Sequence, residues 1–163
     1  MDPVVVLRDM RQDEYDVYSE QQIREYVESL ATTAPYEVSV EKARQDRATF
    51  LPRGLATEGH YLLVAENDAG QVVGSVWLGL ADPRTGSTEM AWLFDIRVES
   101  AHRRSGYGAA ILGAAEALAR EAGARRLGLN VFGDNAAAIA LYERSGYQVT
   151  TQQMAKRLRS GAE

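Results

Sequence analysis

Asp95-Ile96-Arg97-Val98-Glu99-Ser100-Ala101-His102-Arg103-Arg104-Ser105-Gly106-Tyr107-Gly108-Ala109-Ala110-Ile111-Leu112 decides how the rest of the chain is read. Its first four residues close an apolar, strand-like run that begins near Met90. A short polar turn follows, and after Gly108 the apolar residues recur at helical spacing. An Arg-x-x-Gly-x-Gly turn between a strand and a helix suits a phosphorylated ligand. Gly106 and Gly108 let the backbone turn sharply and approach the ligand closely. The first N–H groups of the new helix have no partners within it and sit at the positive end of its dipole. Arg103 and Arg104 add charge at the same place. A bare tight turn with solvated arginines is the plainer alternative. Two better-known phosphate loops do not match. A P-loop ends in Gly-Lys-Ser/Thr, which the sequence lacks, and a dinucleotide fingerprint would put its third glycine where Ile111 stands. A Val at Gly106 or Gly108 is expected to fill the space a pyrophosphate would take.

Upstream, residues 89–98 read as a strand. Alternation puts Met90, Trp92, Phe94, Ile96 and Val98 on one face and Glu89, Ala91, Leu93, Asp95 and Arg97 on the other, unless a bulge intervenes. Before it, residues 61–65 and 72–80 read as antiparallel strands joined by a turn at 66–70. Gly74 and Gly79 mark bulges or a close approach of backbone. Residues 4–7 are a first short strand. Between them lie two helical stretches, 13–30 and 39–51, the second ended by Pro52 and Gly54. On the first, Tyr15, Tyr18, Ile23, Tyr26, Val27 and Leu30 form one stripe; on the second, Val40, Ala43, Arg47, Phe50 and Leu51 recur at helical spacing. Residues 31–35 read as a lid segment.

Downstream, Ile111, Leu112, Ala115, Leu118, Ala119 and Ala122 mark a helix with Gly123 as its C-terminal cap. Residues 125–130 are a strand. A helix follows, capped by Asp134 or Asn135 and closed by Gly146. Residues 147–150 and 154–156 read as a final pair of strands.

The 163 residues fit one α/β domain, 1–163, and the apolar fraction of 45% is that of an ordinary globular protein. A net charge of −5 argues against nucleic acid or an anionic membrane as partner and mildly favours cationic substrates. Without cysteine there is no disulfide, thiol nucleophile or thiolate metal site, and no metal is expected. No signal peptide or membrane-length apolar run is visible, so a cytoplasmic protein is expected.

The order of elements and two motifs resemble the acetyl-CoA-binding half of the GCN5-related N-acetyltransferase (GNAT) superfamily. The pieces are Arg103-Arg104-Ser105-Gly106-Tyr107-Gly108, the strand end at Asn130, and the run from Asn135 to Tyr147, which fits Asn-x-x-Ala-x-x-Leu-Tyr-x-x-x-Gly-aromatic. Residues 95–147 carry the direct likeness, about a third of the chain. An N-terminal helix pair and meander (1–98) and C-terminal strands (147–158) complete the expected domain. Residues 50–57 and 130–135 are similar to a bacterial branch of largely unassigned substrate.

The resemblance implies a mixed, strongly twisted sheet of about six or seven strands flanked by about four helices. Acetyl-CoA is the implied co-substrate, its acyl arm lying where the strands at 89–98 and 125–130 splay. Backbone groups of Ile96 and Val98 pair with the arm, and amides from Arg104 through Ser105, Gly106, Tyr107 and Gly108 to Ala109 hold the pyrophosphate beside Arg103. Asn130 and Asn135 lie on the other side of the arm. An N–H held at the thioester carbonyl, at Val98 or a neighbour, stabilises the oxyanion. Tyr142 matches the family tyrosine beside the sulfur, a general acid; read without the motif it is a core tyrosine. Asp95 and Glu89, on one nominal face, are candidate bases or binders of a cationic amine, and solvated carboxylates otherwise. His102 reads as a surface residue, and His60 carries no signal beyond its type.

The implied function is an N-acetyltransferase moving acetyl to a primary amine, a small amine or a peptide amine, in a ternary complex. A catalytically silent acyl-CoA-binding regulatory module and an enzyme using another phosphorylated ligand are the alternatives. Homodimers occur in the resembled family, and the sequence is compatible with one.

Overall fold

The computed structural model describes residues 3–33 and 40–159. The chain divides into two compact units, Met1–Asn130 and Val131–Glu163. The first holds β1 (Val6–Asp9), α1 (Gln12–Thr33), α2 (Val40–Phe50), β2 (His60–Glu66), β3 (Val72–Gly79), β4 (Met90–Val98), α3 (Tyr107–Glu121) and β5 (Arg126–Leu129). The strands form one sheet in the order β1-β2-β3-β4-β5, antiparallel except for the β4–β5 pair. Consecutive strands joined by short turns pair with their neighbours. The parallel β4–β5 pair is joined through α3, as a crossover must be, while α1 and α2 lie in the connection of the antiparallel β1–β2 pair.

The turns form for local reasons. Between β2 and β3 the Asn67 side-chain carbonyl accepts from the amides of Ala69 and Gln71, both at 3.0 Å, and Gly70 takes φ +76°. Gly123, at φ +98°, follows the end of α3 as its C-terminal cap.

Each face of the sheet has its own core. On one, Met10, Tyr18, Leu51, Leu62, Val64 and Trp77 pack with Tyr15, Leu55 and Phe94. On the other, Leu78, Ala91 and Ala119 pack with Tyr61, Leu118, Ala124 and Leu127. α1 and α2 thus cover the first face and α3 the second. Of the expected α1 stripe, Tyr18 and Ile23 are buried and Tyr15 packs against the core, while Tyr26 is exposed. Of the expected lid, residues 31–33 continue α1, and Ala34 and Pro35 lie outside the described residues.

β4 departs from simple alternation. Asp95 is opposite Trp77 and Leu93 opposite Leu78, so Phe94 is the extra residue of a bulge. Directly paired residues share a face. Ala91, Leu93, Ile96 and Val98 therefore turn to α3, and Trp92, Phe94, Asp95 and Arg97 to α1 and α2. The expected grouping of Phe94 with Ile96 and Val98 is corrected by this one residue. So is the expected common face of Glu89 and Asp95, because the bulge inverts the alternation between them. Gly74 and Gly79 mark close approaches. A Cβ on Gly74 would collide with the Arg97 carbonyl and the Ile111 side chain, and one on Gly79 would come within 2.7 Å of the Phe94 ring.

The second unit contains α4 (Ala136–Arg144). Asn135, not Asp134, caps it: its side-chain carbonyl accepts from the Ala138 amide at 3.2 Å. Gly146 takes φ +92° beyond its end. Residues 147–159 form no strand, so the sheet has five strands and not six or seven. β-propensity alone does not make a strand, which also needs a paired neighbour. Here Val149, Met154 and Leu158 are exposed and carry no ladder partner among the described residues. No helix among the described residues is long and apolar enough to cross a membrane.

Candidate active site

The open edge of β4 follows from the pairing pattern. β5 pairs with Met90–Leu93 only, so the two strands part after Leu93 and Leu129. The Glu99 amide donates to the Val73 carbonyl at 2.8 Å, which turns alternate peptide groups of β4 toward β3. The amides of Ile96 and Val98 therefore point the other way, to the edge that β5 has left. The Arg103 side chain reaches back to this edge, its Nε donating to the Val98 carbonyl at 3.2 Å. The edge is a row of main-chain donors and acceptors suited to an extended, amide-bearing ligand.

The loop beyond β4 leads into the N-terminus of α3. Arg104 takes φ +62° and Gly106 φ +83°. A left-handed arginine costs about 1 kcal/mol, and such strain concentrates where ligands bind. Gly106 is the N-cap and offers no side-chain acceptor, so the amides of Tyr107, Gly108 and Ala109 begin the helix without a side-chain cap. Arg103, Arg104 and Ser105 are exposed around them, and Ala109 is exposed on the first turn. A cradle for a phosphate is the chemistry this arrangement offers. One expectation changes: a Cβ on Gly106 would meet the Pro3 ring at 3.1 Å. Its positive φ and Pro3 account for the glycine, so Gly106→Val perturbs the fold as well as any ligand.

On the α1/α2 face the same strand carries charge. Tyr18 donates to Asp95 Oδ2 at 2.8 Å. Burial pushes the Asp95 carboxyl above the usual carboxylate range, opposed by the Tyr18 hydrogen bond and by Arg97 and Arg47. Burial and the neighbouring Asp95 push the Tyr18 phenol well above its usual range. Arg97 donates through Nη1 and Nη2 to the two carboxylate oxygens of Glu25 at 2.9 and 2.6 Å. The Arg47 guanidinium lies 5.1 to 5.8 Å from the ring centres of Tyr15, Tyr18 and Trp77. Its Nε and Nη2 are buried with no hydrogen-bond partner among the described residues. This cluster places one carboxyl among two cations and a phenol, where its protonation state responds to small changes.

The other sequence-selected residues are placed less centrally. Glu89 precedes β4 and is exposed, and its main-chain carbonyl accepts from the Arg125 and Arg126 amides. It lies at the opposite end of the strand from Val98, about 30 Å along it at the usual strand rise. Asn130 is exposed at the end of the first unit. In the second unit Tyr142 is buried on α4, edge-on to Tyr147 with ring centres 5.7 Å apart. His102 stacks edge-on against Tyr107 at 5.7 Å. Tyr18 stood in the sequence as one of three stripe tyrosines that could line a substrate pocket or simply pack in the core, and Arg47 and His60 were not singled out for a site. Arg47 had left a trace, as a cation within an otherwise apolar helical stripe.

The acetyltransferase (GNAT) family model matches residues 15–147. YdgE of Bacillus subtilis (strain 168), described as an uncharacterized N-acetyltransferase, is 30% identical over 154 residues, 93% of this chain and 97% of its own. YycN of the same organism, described in the same words, is 31% identical over 157 residues, 94% of this chain and 99% of its own. The crystal structure of YycN superposes with a TM-score of 0.86 at 29% identity, over 96% of this chain and all of that one. An aminoglycoside N-acetyltransferase, AAC(6')-Iy, crystallised with CoA, has the same fold at a TM-score of 0.62 and 16% identity, over 98% of each chain.

Proposed function

This chain belongs to the acetyltransferase (GNAT) family, and we propose that it moves an acetyl group from acetyl-CoA to a primary amine by direct attack in a ternary complex. The observation that carries the reading is the edge of β4 left open beyond Leu93, continuous with a glycine-bearing turn into α3. An acyl-pantetheine arm has amides to pair along such an edge and a pyrophosphate to seat at its end. Ile96 and Val98 supply the edge groups. Arg104 through Ala109 supply amides for the pyrophosphate, and Arg103 supplies charge beside them. CoA in AAC(6')-Iy supports the choice of ligand, and the family resemblance alone assigns Asn130 and Asn135 to the other side of the arm. The matched span acts as one catalytic domain, in the cytoplasm.

The ammonium of the acceptor gives up a proton, because only the free amine has a lone pair. That lone pair attacks the thioester carbon, a C–N bond forms, and the oxygen takes negative charge facing a β4 amide, that of Val98 or its neighbour. Collapse breaks the C–S bond, Tyr142 gives the departing thiolate its proton, and the second proton shed by the acylated nitrogen restores the Tyr142 phenol. Of the two carboxylates, Asp95 is the proposed base. It lies on the strand at the point where the edge opens, with Tyr18 and Arg47 tuning its charge. Glu89, exposed before the strand, serves at most as an attraction for cationic acceptors.

Two-substrate initial-rate kinetics with acetyl-CoA and a responsive amine test the reading. Intersecting lines are expected. Parallel lines would mean a covalent acyl-enzyme and contradict direct attack. Folded protein that binds acetyl-CoA but transfers to no amine would return the silent binding module.

A further inference from the structure

The sequence gives His60 no role, yet the structure fixes its chemistry. Trp77 Nε1 donates to His60 Nδ1 at 2.9 Å. An indole nitrogen only donates, so Nδ1 must present its lone pair, and the ring proton of neutral His60 sits on Nε2. Burial lowers the His60 pKa and keeps the ring neutral. His60 is therefore a hydrogen-bond donor on its other side and is not free to act as a base there.

That ring lines a cleft of about 460 Å³ on the α1/α2 face, together with Phe50, Phe94, Glu58 and Asp82. The walls are aromatic. Phe94 stacks on Trp77 with ring centres 4.4 Å apart and lies 5.3 Å from Phe50 and 5.4 Å from His60. Gly79 makes this packing possible, because a side chain there would strike the Phe94 ring. The Asp82 carboxylate is already held by the Arg84 amide, Nε and Nη2 at 2.8 to 3.1 Å. Glu58 is the exposed acid of the lining. Phe94 is also the bulged residue at which β4 parts from β5. One end of the cleft thus adjoins the open edge, and the His60 donor stands two strands away, about 10 Å at the usual spacing.

We propose that this cleft takes the body of the acceptor, and that the acceptor class is a primary amine on a flat apolar body carrying an oxygen acceptor at its far end, which His60 Nε2–H selects. This rests on the acetyl-transfer reading for the fate of the amine, but not for binding. The flat body lies along the wall that the packed Phe50 and Phe94 rings form, the oxygen accepts from His60, and the amine points to the start of the open edge. An ammonium facing a fixed N–H donor would be repelled, so the reverse orientation is disfavoured.

Tyramine and phenethylamine differ only in that oxygen and serve as the probes. Saturation-transfer NMR on the full chain reads their binding without any transfer step, and calorimetry with acetyl-CoA runs beside it. Tyramine is expected to bind about tenfold tighter, the scale of one neutral hydrogen bond. His60→Phe should level the two amines. His60→Gln, whose amide can accept from Trp77 and still donate, should retain part of the preference. Equal binding of both amines to the wild-type chain, or binding of neither, overturns the assignment without recourse to a variant. So does a preference that survives His60→Phe. Acetyl-CoA binding with no amine binding removes the cleft assignment alone. Amine discrimination without acetyl-CoA binding removes the transfer reading and leaves the cleft.

Discussion

The two faces of β4 are made by the same nine residues and do opposite things. Toward α3 the strand offers Ala91, Leu93, Ile96 and Val98, and the neighbouring Leu78, Ile111 and Leu112 are fully or almost fully buried. Toward α1 and α2 it offers Trp92, Phe94, Asp95 and Arg97, with a buried carboxyl, a phenol and two guanidinium groups among aromatic rings. A dry face contributes stability. The charged face has buried polar atoms without partners, which costs stability and is retained where chemistry needs it. One inserted residue, Phe94, separates the two by turning Asp95 away from α3.

Substitutions can sharpen or break that contrast. The largest effect is expected on the charged face. Asp95→Asn should lower kcat/KM for amine acetylation by about 100-fold or more, the usual scale of a lost general base, while acetyl-CoA affinity stays within about twofold. Unchanged turnover would remove Asp95 from the proton path. On the dry face, Leu78→Ala should cost about 3 kcal/mol in denaturant unfolding and leave turnover per folded molecule unaltered. A change in its pH profile would show that the faces are coupled.

Tyr18→Phe comes next. Its hydroxyl donates to Asp95 and favours the ionised carboxylate. Its loss should shift the acid limb of the kcat/KM profile to higher pH, with the largest fall in rate on the acid side. An unmoved limb would separate that phenol from the titrating group.

The smallest effect concerns two carboxylates with opposite shifts. Glu14, held by Arg8 Nη1 and Nη2 at 2.9 and 3.0 Å and by the Arg11 amide, is lowered to about 2. Its contribution to stability is complete above the unfolded-state value near 4.5 and is lost as pH falls toward about 2. Asp95 is raised, so the folded state binds its proton more tightly, and stability falls as pH rises from the ordinary carboxylate range to the folded value. Glu14→Gln should cost about 1 kcal/mol at pH 7 and flatten the acid-side loss. Asp95→Asn should instead stabilise the fold at pH 7. Thermal unfolding across pH 2 to 8 reads both signs.

Much of this organisation was legible in the sequence, for physical reasons that also mark where legibility stops. The β4–α3 turn announced itself because glycine and arginine spacing is local, and Asn135 and Gly123 mark helix ends by their own chemistry. A bulge was allowed for, but its position was not legible, since Phe94 satisfies either alternation and only its pairing with β3 decides. The expected strands at 147–156 have β-forming residues, but a strand forms only by pairing, which residue type alone does not specify. The Tyr18–Asp95 contact joins residues 77 positions apart, beyond the reach of any local pattern. His60 was silent because its tautomer is set by Trp77, on the neighbouring strand.

Calorimetric titration of the folded protein with acetyl-CoA, with ATP and NAD as controls, tests the central claim most directly. The account predicts saturable binding of acetyl-CoA at one site per chain, with ATP and NAD bound far more weakly. No acetyl-CoA binding, or equal competition by ATP or NAD, would contradict the reading of the open β4 edge and its loop as an acyl-CoA site.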